Sequence, residues 1–411
     1  MQTESFADWR EQMLKIGEAE VRAAARVIRS GKLFRYGDGS ASGESECAKL
    51  ERELAKKMGV EYALVVTSGT AALICAMAGM GIGPGDEVIV PGYTFMASAL
   101  APLAVGAIPV IADIDESLTL DPKDVEAKIS PRTRAIMPVD MIGLPADMGA
   151  IMRVARRHRI AVVEDACQAD GGWYKGRRLG SIGEVGTYSF NYFKNVTCGE
   201  GGALVTNDRR VFERAMIHHD GGATFRPHSK EIGVPFFAGW NFRMTDILAA
   251  IVRVQLRRVD GLLARNRAHK IRLIHALADH PGISFIKHND LEGDCGLVLG
   301  FSFAEAKAAR SFSDALAAAR VSAWLPIDSG RHVYTNWEPI MERRGSYHPA
   351  LDAYRRRENK GAQMKCTAAT CPRTLDTLAR TVFLPIRHEW KSRDLGTVIR
   401  ACRRAADAVA G

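Results

Sequence analysis

Much that would point to other functions is scarce in this chain. Eight cysteines (Cys47, Cys75, Cys167, Cys198, Cys295, Cys366, Cys371, Cys402) are scattered without a CxxC pair or neighbouring paired histidines. That spacing argues against a zinc site or a disulfide framework and for reduced thiols in a cytoplasm. Aromatic residues are 7% of the chain, and no basic run alternates with them, so the formal charge of +9 does not build a nucleic-acid platform. Basic segments such as RVARRHR (153–159) and RVQLRRVD (253–260) read as solvated helix faces. No secretory core is visible in MQTESFADWREQM, and no stretch suits a membrane span. The longest apolar run, MASALAPLAVGAIPVIA (96–112), is broken by Pro102, Gly106 and Pro109. It is expected to be a buried helix turning into a strand. Internal repeats and low-complexity segments are also missing.

What is present is an ordinary globular composition, 47% apolar and 25% charged over 411 residues. That length exceeds one comfortable core. A large domain over 1–260 and a smaller one over 261–411 are expected. From about residue 60, β-branched runs ALVV (63–66), EVIV (87–90), PVIADI (109–114), AIMPV (135–139) and AVVED (161–165) alternate with helical patterns at 68–80 and 146–159. The alternation predicts an α/β fold with a mostly parallel central sheet covered on both faces. Ligands of such sheets lie at the carboxyl ends of the strands. Beyond about residue 210 the pattern turns to long helices, the longest over 245–280.

Three local features carry candidate chemistry. In YSFNYFKNVTCGEGGALVTND (188–208), Lys194 follows an aromatic run. Held among apolar groups, an ammonium is disfavoured and the free amine can attack a carbonyl to form a Schiff base. AVVEDACQ (161–168) ends a buried strand in Glu164 and Asp165, and a carboxylate there can hold a pyridine nitrogen protonated. TSGTAAL (67–73) is a turn entering a helix, suited to a phosphate by its exposed N–H groups and hydroxyls. It has neither P-loop nor GxGxxG spacing. Each feature alone has an ordinary reading: a snorkelling surface lysine, a pair of helix-capping carboxylates, an N-cap. Taken with the aromatic PGYTF (91–95), in one order along one sheet, they describe a pyridoxal 5'-phosphate (PLP) site.

That pattern resembles the DegT/DnrJ/EryC1/StrS sugar aminotransferases, within PLP-dependent fold type I (aspartate aminotransferase-like). The likeness runs from FRYG (34–37) to VFLPI (382–386). It implies that Gly69, Thr70 and Ser189 bind the cofactor phosphate and that Phe95 stacks on the ring. Asp165 would pair with the ring nitrogen, Gln168 approach the ring hydroxyl and Lys194 form the internal aldimine. GWNFRMTDI (239–247) resembles the segment by which a second subunit completes the phosphate site, with Asn241 and Arg243 as its candidates and a homodimer with shared active sites as the consequence. Where many members read PVHxYG, this chain reads PVDMIG (138–143), which puts any role of that histidine in doubt and singles out Asp140. Position 168 is glutamine where many members have histidine.

Several stretches, among them EDACQADGGWYKGRRLGSIGEVGTYSF and VYTNW (333–337), look most like the 8-amino-3,8-dideoxyoctulosonate transaminases, makers of a lipopolysaccharide sugar. The resemblance implies a cytoplasmic enzyme taking an amino group, from glutamate by analogy, to a keto or aldehydo sugar. Arg331, His332 and Tyr334, with Trp337, are the candidates for an acidic sugar. No metal is implied, and no nucleic-acid or membrane partner. A nucleotide-linked keto sugar, a cyclitol or an aminohydroxybenzoate precursor are alternative substrates. A non-catalytic ligand-binding regulator is the alternative of another class. A short-chain dehydrogenase is excluded, because Tyr192 stands four positions after Tyr188 where that chemistry needs lysine.

Overall fold

The computed structural model describes residues 16–36, 44–223 and 226–410. The leader reading of residues 1–13 and Gly37 of the FRYG motif therefore fall outside the described residues. Among the described residues no helix is long and apolar enough to cross a membrane.

The chain alternates as expected. Strands β1 (Tyr62–Val66), β2 (Glu87–Pro91), β3 (Ile108–Ala112), β4 (Thr133–Ile136) and β5 (Ala161–Asp165) are followed by a short ribbon, β6 (Trp173–Tyr174) and β7 (Arg177–Arg178). Then come β8 (Val185–Ser189) and β9 (Gly202–Thr206), and far downstream β10 (Val298–Ser302) and β11 (Thr381–Pro385). The helices are α1 (Glu18–Ser30), α2 (Glu46–Met58), α3 (Gly69–Met80), α4 (Ala97–Ala104), α5 (Pro122–Lys128) and α6 (Met148–His158). They continue as α7 (Arg209–His219), α8 (Asp246–Leu277), α9 (Ala306–Ala318), α10 (Glu338–Met341), α11 (Pro372–Ala379) and α12 (Ser392–Ala410).

A seven-stranded sheet in the order β1-β9-β8-β5-β4-β2-β3 forms the centre. Every residue of β2, β3, β8 and β9 is buried, as parallel sheets covered on both faces require. The helices that cover it follow from pattern. In α6, Met148, Ile151, Val154 and Ala155 form one buried stripe; Asp147 caps its start by accepting from Ala150 N–H, and Arg159 ends it at φ 56°. By contrast α3 is apolar nearly all round, and it packs between the sheet and α7, so no face of it needs to be polar.

The strand directions decide where a ligand can go. β9 runs antiparallel to both β1 and β8, while β2, β3, β4, β5 and β8 are mutually parallel. β1 therefore shares the direction of β8, and the carboxyl ends of six strands meet one edge. Residues 67–70, 92–95, 165–168 and 189–194 all emerge there, which is where open α/β sheets bind ligands.

The expected boundary at 260 falls inside α8. Val252, Leu256, Val259 and Leu263 of that helix sit in the core against the large sheet. Leu273 and Leu277 sit in a second core with Leu299 and Phe301 of β10, Val382 and Leu384 of β11, and α12. One continuous helix thus feeds both cores.

The glycine doublet at 201–202 has a packing reason. β9 passes so close beneath the turn after β1 that a Cβ on Gly202 would lie 2.4 Å from the Ser68 carbonyl and 2.7 Å from Gly69 N. Gly202→Ala is expected to cost about 1–3 kcal/mol through overpacking, read as a lower denaturant midpoint at unchanged slope.

Candidate active site

One cavity of about 810 Å³ lies at the carboxyl edge. Gly69, Thr70, Phe95, Asp165, Gln168, Ser189 and Lys194 line it together. Its first corner is the start of α3. Ser68 accepts from Ala71 N–H through its hydroxyl and from Ala72 N–H through its carbonyl. The Gly69 and Thr70 amides, which open the helix, have no intrahelical acceptor. A Cβ on Gly69 would lie 2.8 Å from the Ser189 Cβ and 3.1 Å from its Oγ. Glycine thus lets the helix N-terminus close on the Ser189 hydroxyl, a donor set fitted to a phosphate.

Asp165 lies at the floor, 4% exposed. One carboxylate oxygen accepts from Ser98 Oγ at 2.7 Å and the other from Cys167 N–H at 3.1 Å. Ser98 also hydrogen-bonds Thr94 Oγ1 at 2.8 Å. Those contacts aim an oriented carboxylate into the cavity, and no helix follows it, so Asp165 caps none. Glu164, on the other face of β5, accepts from the N–H groups of Gly180, Ile182 and Gly183 and holds that loop. The Gln168 side chain is fixed by Ile142 N–H donating to its Oε1 at 3.2 Å.

Lys194 stands on the β8–β9 connection, half-buried in the cavity wall. The expected apolar sheath needs correction. Tyr192 and Phe193 are 45% and 41% exposed because the connection turns outward after Phe190, so they flank the lysine without enclosing it. Asp140, in PVDMIG, is fully buried; one oxygen accepts from Ala146 N–H at 2.9 Å and the other has no partner among the described residues. Burial first, then the nearby Glu164 charge, raises its carboxyl well above the usual range.

The downstream loop meets the PGYTF turn by backbone pairing: Thr94 N–H donates to the His332 carbonyl and Tyr334 N–H to the Gly92 carbonyl, each at 3.0 Å. This places Arg331 and His332 on the cavity, the His332 ring 6.0 Å from that of Phe95. Tyr334 must be removed from the substrate candidates. It is fully buried outside the cavity, donating its hydroxyl to Ala368 O at 2.6 Å and accepting from Cys371 N–H at 3.2 Å. Trp337 is likewise buried and donates to the Arg331 carbonyl at 2.8 Å. Both support the loop that presents Arg331 and His332.

Asn241 and Arg243 do not reach this cavity. Arg243 pairs with Asp220, which also takes two bonds from Arg226. Both guanidinium groups lie over Phe34, at 5.7 Å and 5.2 Å. The FRYG and GWNFRM motifs thus meet at the surface, beside the 66% exposed Trp240. Among the cavity residues that motif reading missed are Ser98, Cys167, Arg310 and Asp314 of α9, and Asp328, which closes the short turn at Pro326–Asp328. Arg310 is already paired with Asp328.

The comparisons with known proteins agree with this geometry. The family model of the DegT/DnrJ/EryC1/StrS aminotransferases matches residues 15–325. The chain belongs to that family. Its members are PLP-dependent transaminases, and that membership gives the enzyme class and the cofactor. The dTDP-3-amino-3,4,6-trideoxy-alpha-D-glucose transaminase of Streptomyces venezuelae is 42% identical over 269 residues, 64% of this chain and 67% of the relative. The GDP-perosamine synthase of Caulobacter vibrioides is 44% identical over 217 residues, 53% and 57% of the two chains. The 3-amino-5-hydroxybenzoate synthase of Amycolatopsis mediterranei is 38% identical over 250 residues, 60% and 62% of the two. These alignments span between about half and two thirds of the curated relatives' length. Among solved structures, a 3-amino-5-hydroxybenzoic acid synthase superposes with TM-score 0.76 at 29% identity, covering 96% of this chain and 98% of that one. S. venezuelae DesV with a ketimine intermediate gives 0.74 at 31% identity, covering 94% of each.

His332 yields a prediction. Burial first, then the charges of Lys194 and Arg331, push its imidazole from 6.5 down to about 4. Below 6.5 the unfolded chain takes up a proton that folded His332 refuses, so stability falls as pH drops from 6.5 toward 4. In cofactor-free protein His332→Gln is expected to make that acid limb shallower by up to ~1.4 kcal/mol per pH unit, measured by denaturant melts across the window.

Proposed function

We propose that this protein is a fold type I aminotransferase that moves an amino group from an amino acid, glutamate by analogy, to an acidic keto or aldehydo sugar. An eight-carbon 3-deoxyulosonate oxidised at its terminal carbon is the leading substrate. The convergence of Lys194, Asp165 and the Gly69–Thr70–Ser189 corner on one cavity carries the reading. It supports assigning the cofactor phosphate to that corner, with Phe95 and Gln168 beside the ring. We divide the chain at 260, within α8. A homodimer is also part of the proposal: Asn241 and Arg243 are set away from their own cavity, beside exposed Phe34 and Trp240, so a second copy is their natural recipient.

Bound PLP supplies an electron sink through its ring nitrogen. The chain does the rest. Asp165, held by Ser98 and Cys167, keeps a proton on that nitrogen. The α3 N-terminus and Ser189 anchor the phosphate. Lys194 Nζ would hold the cofactor and, as a free amine, would move a proton to or from the reacting carbon. Arg331 meets the sugar carboxylate and neutral His332 a hydroxyl. The names of the relatives support a second reading, a nucleotide-linked keto sugar or an aminohydroxybenzoate precursor. A panel of octulosonate aldehyde and nucleotide-linked 4-keto sugars, with mass spectrometry of the products, separates the two. Amination of the nucleotide sugars alone removes the octulosonate reading.

Borohydride is expected to fix the cofactor on Lys194 and on no other lysine, as found by peptide mapping, and Lys194→Ala should lose both the link and turnover while keeping its melting profile. A cofactor-free, colourless wild-type protein would favour a ligand-binding regulator. Arg331→Ala is expected to raise KM for the acidic sugar about 10- to 100-fold, the loss of one charge-assisted contact, while the half-reaction with glutamate changes little.

A further inference from the structure

Thr94 and Ser98 stand four positions apart where the PGYTF turn enters α4, and both are 1% exposed. Their hydroxyls meet at 2.8 Å, and Ser98 Oγ also lies 2.7 Å from Asp165 Oδ2 and 3.2 Å from the Phe95 carbonyl. A serine hydroxyl has one hydrogen to give. The Phe95 carbonyl already accepts the Ser98 main-chain N–H at 3.1 Å, and a carboxylate takes a shorter and stronger bond than a carbonyl. Ser98 therefore spends its hydrogen on Asp165, and its oxygen is left as the acceptor facing Thr94. That fixes a direction the distance alone leaves open: Thr94 Oγ1 donates to Ser98 Oγ, and Ser98 Oγ donates to Asp165 Oδ2. The main chain of Thr94 is engaged elsewhere, its N–H donating to the His332 carbonyl at 3.0 Å. One residue thus holds the downstream loop through its backbone and Asp165 through its side chain.

We propose that Thr94 is a positioning residue for Asp165, the first member of a one-way hydroxyl chain that ends on the carboxylate oxygen. The proposal rests on the reading that Asp165 meets the ring nitrogen of the cofactor. A hydroxyl that accepts a hydrogen bond donates a stronger one, so Thr94 strengthens the Ser98 contact without touching the carboxylate. Cys167 N–H fixes the other oxygen, Oδ1, at 3.1 Å. Two anchors, one on each oxygen, set the plane of the carboxylate. Without the chain the Oδ2 end is free to turn, and the site must order it each time the cofactor binds. The chain transfers no proton; it fixes where the acceptor points. Its members act in series, because removing Ser98 leaves Thr94 nothing to act through. Thr94 also lines the cavity, and a direct contact with the cofactor would instead act independently of Ser98, so the two roles differ in whether their losses combine.

The test reads equilibrium binding of pyridoxamine phosphate to full-length, cofactor-free protein, so that neither the lysine linkage nor turnover enters. Thr94→Val keeps the side-chain shape and the N–H to His332 while deleting the donor; Thr94→Ser keeps the donor. Thr94→Val is expected to weaken binding about three- to tenfold, the loss of one neutral hydrogen bond, and Thr94→Ser to match the wild type. Ser98→Ala should weaken it at least as much, and the double variant Thr94→Val with Ser98→Ala no further than Ser98→Ala alone. Benzyl phosphate, which has a ring and a phosphate but no ring nitrogen, should bind wild type and every variant alike, a result that disturbed packing of the cavity would not give. Unchanged pyridoxamine phosphate binding in Thr94→Val, losses that multiply in the double variant, or parallel losses for benzyl phosphate would each overturn the chain. Should Thr94→Val not fold, Thr94→Ala takes its place under the same criteria. Wild type that binds benzyl phosphate as tightly as pyridoxamine phosphate would overturn the ring-nitrogen role of Asp165 itself, and the proposal with it.

Discussion

Everything at the carboxyl edge depends on β9 lying antiparallel between β1 and β8. That placement turns the chain back after Ser189, so the connection that carries Lys194 rises on the same side as the turn that follows β1. It also requires Gly202 to slide under Ser68 and Gly69 without a side chain. Shift that strand and the start of α3 moves away from Ser189, the lysine away from Asp165. The three chemical elements are therefore not separate loops that happen to converge; one strand's direction sets all of them.

The interior near that strand is unusually acidic. Asp140, Glu164, Asp165 and Asp170 are all buried, and each is treated differently. Glu164 is surrounded by backbone N–H groups, Asp165 by a hydroxyl and an amide, while Asp140 and Asp170 each leave one oxygen without a partner among the described residues. Hydrogen bonds keep the first two oriented as acceptors, and burial favours the neutral form of the others. Packing thus sorts one residue type into different tasks, because the cost of charge depends on which oxygens find donors.

The strands and the site motifs were legible because their signals are local. Buried strands read as continuous apolar runs, α6 as a 3.6 period with Asp147 before it, and the end of β5 as two carboxylates after valines. Tyr334 and Trp337 misled because an aromatic residue in a loop looks the same whether it faces a ligand or braces the turn behind one. Only the Ala368 and Arg331 carbonyls, six to thirty-four positions away, decide it. Ser98 was hidden in an apolar helix, and Arg310 on the polar face of α9, where a charged residue needs no special reason. Asp170 sat in plain view beside Gln168, and its lack of a partner is a property of the folded chain alone.

The pairing of residues 92–94 with 332–334 joins segments about 240 positions apart. During synthesis, β1 to β9 can assemble long before that partner leaves the ribosome, at a rate of roughly 5–20 residues per second. For that interval of roughly 6–25 seconds, the Gly69–Ser189 corner, Asp165 and Lys194 exist without the loop that bears Arg331 and His332. The corner proposed for the cofactor can therefore be complete before the loop proposed for the substrate arrives.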